Sequence, residues 1–257
     1  MASIHLKDVV LDYPVTRTLN SLITSQFSKH TIGGKIRVQE NNVTVVRALD
    51  HLSVDFEPGD SVGLIGHNGS GKSTLLRVLA GIYEPTQGSV EINGVTNALL
   101  GMSLGMNLEA TGYENIELNA ILHGYNPKEI VEKTKEIEEF SELCEYLSMP
   151  IRSYSSGMKV RLSFSMATAF CREILIIDEV MGAGDASFMQ KARKRMNSLI
   201  NNSELVVMAN HSPKLLRKFC NKVLWLKHGK KMFFGPTDEA LAFYKESLDP
   251  TKASLSL

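Results

Sequence analysis

The segment Gly66–Ser73, GHNGSGKS, carries glycines, a lysine and a serine at spacings suited to holding phosphate groups. Glycines let the backbone turn closely around an anion and direct several N–H groups toward it. A helix that begins at Lys72 would add the positive end of its dipole. Lys72 would then reach the β- and γ-phosphates of a nucleotide, and Ser73 would bind Mg²⁺. The plain alternative is a glycine-rich turn between a strand and a helix.

The predicted nucleotide contacts form one uninterrupted run of the chain. A strand is predicted before the run, over 61–65, and a helix after it, which is the context that a phosphate loop requires. His67 and Asn68 occupy variable positions of the pattern, so we assign no specific chemistry to their side chains. The residues of the run are Gly66, His67, Asn68, Gly69, Ser70, Gly71, Lys72, Ser73 and Thr74.

Two adjacent carboxylates end a second apolar segment, ILIIDE at 174–179. The apolar run predicts a buried strand. Asp178 would then lie at its carboxyl end, beside the phosphates, and bind Mg²⁺ directly or through water. Glu179 would face the γ-phosphate and polarise the attacking water as a general base. The alternative is a charged strand end that faces solvent.

His211 follows a third apolar segment, LVVMA at 205–209. The carboxyl ends of parallel strands share one edge of a sheet, and ligands of such sheets bind at that edge. His211 is therefore a candidate for contact with the γ-phosphate. The alternative is a histidine with a structural role only.

Strands and helices alternate along most of the chain, which predicts an α/β fold with a mostly parallel core sheet. Helical patterns between about 100 and 165 interrupt the alternation and predict a helical subdomain. The polar segment 14–46 is interpreted as a helical insertion and a loose hairpin. We expect one nucleotide-binding domain over 1–248, followed by a loose polar tail over 249–257.

The composition is typical of a globular protein, with 43% hydrophobic and 22% charged residues among 257. A formal net charge of zero argues against a nucleic-acid partner. The three cysteines, at 144, 171 and 220, fit no metal pattern and indicate reduced thiols. The sequence predicts neither a signal peptide nor a membrane span. A role in a membrane process would therefore require a membrane-spanning partner.

A second turn of small residues, YSSGM at 154–158, also leads into a predicted helix. Its plain interpretation is an N-cap at Ser155. A helix start with small residues is also a place where an anion binds. The sequence thus contains two helix starts of this kind, far apart along the chain.

The order and spacing of GHNGSGKS, YSSGM, ILIIDE, GAGD (182–185) and His211 resemble the nucleotide-binding subunit of ABC transporters. The resemblance covers nearly the whole chain, although Ser156 and Met158 depart from the family's LSGGQ pattern. It implies an ABC-type P-loop NTPase with an antiparallel β subdomain and a helical subdomain. It also implies a head-to-tail homodimer, in which Ser155 and Gly157 of one copy close over the ATP bound by the other.

Further roles are implied by the same resemblance. Asp185 matches the loop that crosses the dimer interface, and Tyr13 matches the aromatic residue that stacks on adenine. The alternative for Tyr13 is a core tyrosine at a strand end. The family usually has a glutamine that senses the γ-phosphate between the core and helical subdomains, but residues 88–119 contain none. Another group, with Ser103 as a candidate, would then couple nucleotide binding to the membrane partner.

The segment NALLGMSLGMNLEATGYENI, at 97–116, resembles the subgroup that exports cell-surface polysaccharides. The subgroup implies an ATPase subunit for export of lipid-linked, O-antigen-like polysaccharide across the inner membrane. The subunit would bind polytopic permease subunits at the cytoplasmic face of that membrane. The chain resembles the short form, which has no carbohydrate-binding domain. Capsule or teichoic acid export, and another ABC transporter, remain alternatives.

Two further classes are disfavoured by the motifs. A non-transport ABC ATPase that acts on DNA or ribosomes would have a long coiled coil between the phosphate loop and the YSSGM turn, or two phosphate loops. This chain has neither feature. A small-molecule kinase would explain the phosphate loop but leave YSSGM and GAGD without a role.

Overall fold

The structure, a computed structural model, describes residues 1–14, 35–38, 44–100, 106–170, 173–178 and 186–248. The chain forms two compact units. The first consists of Met1–Gly94 and Glu204–Leu257, and the second of Val95–Ser203. The predicted helical subdomain, about 100–165, falls within the second unit, and its exact bounds remain a prediction.

The elements are numbered in chain order. The described strands are β1 (Ser3–Pro14), β2 (Lys35–Val38), β3 (Thr44–Phe56), β4 (Ser61–Ile65), β5 (Gln87–Asn93), β6 (Thr96–Leu99), β7 (Ile174–Asp178), β8 (Leu205–Ala209), β9 (Lys222–Lys227) and β10 (Lys230–Pro236). The α-helices are α1 (Lys72–Leu79), α2 (Gly112–Leu122), α3 (Pro127–Ser141), α4 (Ser156–Ala169), α5 (Ala186–Asn202), α6 (Pro213–Phe219) and α7 (Thr237–Ser247). Short 3₁₀ helices cover Cys144–Ser148 and Ile151–Ser153.

The first unit contains an antiparallel sheet of strand order β2-β3-β1-β5. It also contains β4, which pairs in parallel with β8 on one side and β9 on the other. After Ser61, β4 is apolar and buried, with Val62 and Leu64 fully buried, as expected for a strand with parallel neighbours on both sides. Each such side chain contributes about 1.5–3 kcal/mol through burial. The predicted strand over 61–65 is confirmed.

The second unit consists of the parallel pair β6–β7 and the helices α2 to α5. Thr111 and Glu114 form a capping box at the start of α2, and Asn126 and Glu129 form another at α3. Both boxes satisfy N–H groups that a helix start leaves unpaired. A cluster of apolar residues with Ile116, Leu147 and Leu162 fully buried holds these helices together.

The predicted α/β fold class is confirmed, with parallel pairing around β4 and between β6 and β7. Two apolar segments on either side of His228 and Gly229, VLWLKHGKKMFFG at 223–235, predict a hairpin, which is confirmed as β9–β10. β2 and β3 pair antiparallel, which agrees with a hairpin in the second part of 14–46. The helix predicted in that segment, and the tail 249–257, lie outside the described residues. β6, a strand of four residues, was not predicted.

The cysteines agree with the prediction of reduced thiols as far as the structure describes them. Cys144 and Cys220 form no disulfide, and Cys171 lies outside the described residues. Burial raises the pKa of the Cys220 thiol to about 12, so it stays protonated at neutral pH. None of the described helices is long and apolar enough to cross a bilayer.

Candidate nucleotide-binding site

The phosphate loop connects β4 to α1 in the first unit. Gly66, Gly69 and Gly71 have φ angles of +154°, +75° and +108°, in the region that side chains rarely adopt. A Cβ at Gly66 would lie 2.3 Å from the carbonyl oxygen of Leu226, and one at Gly71 would lie 2.8 Å from that of Ala48. The loop therefore needs these glycines for its backbone conformation and for its close packing.

Lys72 is the first residue of α1, and only 8% of its surface is exposed. Its ammonium group donates hydrogen bonds to the carbonyl oxygens of Gly66, at 2.7 Å, and His67, at 3.2 Å. The positive charge thus lies inside the loop, where low exposure strengthens its attraction for an anion. This is the position from which it can bind phosphate oxygens.

Two buried polar atoms of the loop have no hydrogen-bond partner among the described residues: the hydroxyl oxygen of Ser70 and Nε2 of His67. Buried polar groups without a partner are rare in folded proteins and call for an explanation. For the Ser70 hydroxyl, an oxygen of a bound anion would supply one by accepting its hydrogen bond. The donors and the ammonium group therefore fit a nucleotide phosphate.

Tyr13, at the end of β1, lies beside the first turn of α1. Its hydroxyl donates to Oγ1 of Thr74 over 3.3 Å, and its ring meets that of Tyr83 edge to face at 5.7 Å. The fold thus brings Tyr13 to the phosphate-loop helix despite the long segment between them. Its stacking on adenine stays a prediction.

The other predicted catalytic and metal-binding residues are divided between the units. Ser73 lies in the first turn of α1, and His211 is exposed two residues after the end of β8 in the first unit. Asp178 is half-buried at the end of β7 in the second unit. Hydroxyl and carboxylate oxygens are ligands that Mg²⁺ prefers, so Ser73 and Asp178 fit the predicted role. Glu179 and Asp185 lie outside the described residues.

The YSSGM turn forms the start of α4 in the second unit. Ser155 is the N-cap, and its hydroxyl accepts a hydrogen bond from the backbone N–H of Met158 at 3.2 Å. Ser155, Ser156 and Gly157 are exposed, and the first turn contains no acidic residue. A Cβ at Gly157 would meet only the Ser155 hydroxyl, at 3.9 Å. The predicted N-cap is confirmed, and this helix start is open to an approaching anion.

The region that lacks the family's glutamine is anchored by Asn115, which is 3% exposed. Its side chain accepts from the N–H of Asn107 at 2.7 Å and donates to the carbonyls of Asn107 and Thr111. The carbonyl oxygen of Leu108 accepts a hydrogen bond from the backbone N–H of Arg152, and about half of the surface of Leu108 is exposed. Ser103 lies outside the described residues, so its role stays a prediction.

One contact of the phosphate loop was missed by the sequence analysis. The N–H of Gly229, in the β9–β10 turn, donates to the carbonyl oxygen of Ser70 at 2.9 Å. The residues HG between two apolar segments predicted the turn, but no pattern in the sequence indicated what the turn touches. Only the packing of distant segments reveals it.

Comparisons with known proteins agree with the resemblance. The family model described as ABC transporter matches residues 49–182. The O-antigen export system ATP-binding protein RfbE of Yersinia enterocolitica is 41% identical over 249 residues, which are 97% of this chain and 99% of RfbE. The teichoic acids export ATP-binding protein TagH of Shouchella clausii is 36% identical over 79% of this chain and 56% of TagH. The chain thus spans little more than half the length of that relative.

Solved structures share the fold at low identity. A structure described as an ATP-binding subunit of an ABC transporter matches with a TM-score of 0.70 and 20% identity, covering 94% of this chain and 93% of the other. A dimeric ATP-binding cassette, MJ0796, described in a post-hydrolysis state with ADP and Pi, matches with a TM-score of 0.66 and 20% identity. That match covers 91% of this chain and 98% of the cassette.

Proposed function

The chain belongs to the ABC transporter family, and from this premise we propose that it is the ATP-hydrolysing subunit of an exporter of lipid-linked, O-antigen-like polysaccharide. The observation that carries the proposal is the likeness to RfbE, which extends over nearly the full length of both chains. The phosphate loop, with Lys72 held inside it, supports ATP as the energy source. The permease subunits would cross the inner membrane, and this subunit would bind them at the cytoplasmic face.

ATP would be bound mainly by residues of the first unit. The loop N–H groups and Lys72 would bind the β- and γ-phosphates, and the Tyr13 ring would stack on adenine. Bound Mg²⁺, held by Ser73 and Asp178, would neutralise charge that develops on the phosphate oxygens. The hydroxyl of Tyr13 is already held by Thr74 in the first turn of α1, which supports a ring fixed near the loop.

Hydrolysis would transfer the γ-phosphoryl group from ATP to water, with ADP as the leaving group. Glu179 would polarise the attacking water and accept its proton, while the oxygen that bridges the β- and γ-phosphates leaves with ADP. His211 would contact the γ-phosphate and keep it in line with the water. The position of His211, two residues beyond the end of β8, supports this role, since ligands of such sheets bind beyond the carboxyl ends of strands.

The second copy of the chain would complete each site. Its Ser155 and Gly157 would close over the γ-phosphate, and its Asp185 would cross the interface. The exposed start of α4, free of acidic residues, supports this arrangement because its N–H groups and dipole favour an anion. ATP would stabilise the closed dimer by binding it more tightly than the open one, and hydrolysis would release it.

Export of teichoic acid is the second candidate for the transported polymer. The likeness to TagH supports it, although the match covers less of that protein. The two candidates differ in the polymer that would accumulate on the cytoplasmic side when transport stops. A repeating-unit glycan on its lipid carrier supports the first candidate, and a polymer of alditol phosphates supports the second.

The proposed function is tested by deleting the gene in its host. Surface polysaccharide should disappear, and lipid-linked polymer should accumulate inside the cell, because synthesis continues without transport. Extracts separated by gel electrophoresis and stained for carbohydrate would measure both pools. Restoration by the wild-type gene is the control. Unchanged surface polysaccharide and an unchanged intracellular pool would overturn the proposal.

A negative charge placed at the start of α4 should have opposite effects on the stability of the fold and on the rate of ATP hydrolysis. We expect Gly157→Asp to stabilise α4 by about 0.3–1 kcal/mol, because an acidic residue interacts favourably with the helix N-terminus. The same charge should lower the ATPase rate about tenfold or more, because it faces the γ-phosphate of the partner's ATP. Thermal unfolding and phosphate release would measure the two effects.

The matched control is Gly157→Asn, which has nearly the same size and no charge. It should retain most of the ATPase activity. Equal losses of ATPase rate in the two variants would mean that the volume of the side chain at this position, and not its charge, lowers the rate. Full activity of Gly157→Asp would show that no phosphate approaches the start of α4.

A further inference from the structure

Gly229, in the β9–β10 turn, is hydrogen-bonded to the phosphate loop through its backbone. Gly229 donates its N–H to the carbonyl oxygen of Ser70 at 2.9 Å, and its own carbonyl accepts from the N–H of Asp50, on β3, at 3.0 Å. Gly229 therefore connects β3 to the phosphate loop. Both of its backbone polar groups are used in that connection.

The turn has the conformation of a tight hairpin. His228 and Gly229, the two residues between the paired Lys227 and Lys230, have φ angles of +50° and +77°. Positive φ at both central positions matches the natural twist of the two strands. The ring of His228 lies 4.8 Å from that of His67, measured between centroids, so the turn contacts the loop at a second point.

Three backbone segments meet here with no room for side chains. A Cβ at Gly229 would lie 2.6 Å from the carbonyl oxygen of Ala48 and 3.0 Å from Cα of Leu49. A Cβ at Gly71, the N-cap of α1, would lie 2.8 Å from the same oxygen of Ala48 and 3.5 Å from Cα of Gly229. The turn, β3 and the end of the phosphate loop are thus packed backbone against backbone.

A group of four charges, three of them buried and the fourth on exposed Lys230, connects β3, β1 and the turn. Arg47 binds both carboxylate oxygens of Asp12, on β1, at 2.8 Å, and donates to Asp50 at 3.3 Å. The second oxygen of Asp50 lies 3.5 Å from the ammonium group of Lys230, directly after Gly229. The side chains of Asp12 and Asp50 are 2% and 1% exposed. The charges of Arg47 and Lys230 thus balance those of the two buried carboxylates, which would be costly to bury unpaired.

We propose that Gly229 is a positioning residue for nucleotide binding: the β9–β10 turn, held by Asp50 and Lys230, fixes the Ser70 peptide so that the loop N–H groups converge on the phosphates. This inference rests on the proposed ATP site. Gly229 touches no nucleotide itself and acts through the peptide that it holds. Displacing that peptide by a fraction of an ångström would misalign the donors of the loop.

The test compares two glycines with left-handed φ in the same unit. Gly229→Ala introduces backbone strain and a clash, whereas Gly59→Ala introduces the same kind of strain, at φ +85°, with no atom within 4 Å. We expect Gly229→Ala to weaken binding of a fluorescent ATP analogue about tenfold or more, since small misplacements at such sites have large effects. Gly59→Ala should bind it about as well as the wild type. Hydrogen exchange should accelerate over residues 66–75 in Gly229→Ala alone.

A second variant keeps the inference testable if Gly229→Ala does not fold. Lys230→Met removes the exposed partner of Asp50 and keeps the buried ion pair intact, so the fold should persist. Lys230→Met should weaken binding of the same analogue, but less than Gly229→Ala does. Lys230→Arg keeps the positive charge and should bind the analogue as the wild type does. Lys227→Met, on the other side of the turn, is the matched control and should have no effect.

Two results would overturn the inference. One is unchanged analogue binding in folded Gly229→Ala. The other is an equal loss in Gly59→Ala or Lys227→Met, which would indicate general destabilisation. If the wild type and Lys72→Ala bind the analogue equally, the proposed ATP site fails instead. The two failures are therefore distinguishable.

Discussion

Replacing Glu179 by glutamine should leave ATP binding intact and lower the ATPase rate by roughly 10²–10⁴-fold, the usual contribution of a general base. Glutamine keeps the size of glutamate and one acceptor oxygen, but it cannot accept a proton from water. ATP would then persist between two copies, because the closed dimer is released only after hydrolysis. Size-exclusion chromatography with ATP and Mg²⁺ should show a dimer, and phosphate release should show the lost turnover.

The control is Glu117→Gln, which makes the same chemical change at an exposed position on α2. It should hydrolyse ATP at the wild-type rate and elute as the wild type does. Elution of Glu179→Gln as a monomer with ATP bound would argue against ATP held between two copies. A wild-type rate in Glu179→Gln would assign the general base to another residue.

Removing the ammonium group of Lys72 should abolish transport by preventing ATP binding. Lys72→Ala should weaken ATP binding about 30-fold or more, because truncating one partner of a desolvated charge pair costs about 2 kcal/mol or more. The fold should persist, since the hydrogen bonds from this ammonium group to Gly66 and His67 lie within the loop itself. Isothermal titration would measure binding, and surface polysaccharide of the complemented deletion strain would measure transport.

Lys7→Ala is a suitable control, because Lys7 is exposed on β1 of the same unit. It should bind ATP and restore surface polysaccharide like the wild type. Normal surface polysaccharide in cells that carry Lys72→Ala would refute the role of this loop in transport. Circular dichroism of the purified variant would separate a binding defect from unfolding.

Features that depend on neighbouring residues could be read directly from the sequence. The phosphate loop and the N-cap at Ser155 each lie within a short stretch of chain, and the conformations they need follow from glycine and serine at set spacings. The strand β4 was predicted because it lies between the turn residues EPGD, at 57–60, and the phosphate loop. β6 was missed because a strand of four residues, TNAL, has too little periodicity to stand out.

Contacts between distant segments came from the tertiary structure alone. The approach of Tyr13 to Thr74, the balanced charges around Arg47, and the hydrogen bond from Gly229 to Ser70 all join residues far apart in the chain. No residue type at these positions specifies its partner, because the partner is chosen by how strands pair and pack. The amino-acid sequence thus determined the chemistry of the phosphate loop, whereas the packing of β3 and the β9–β10 turn decided what holds that loop in place.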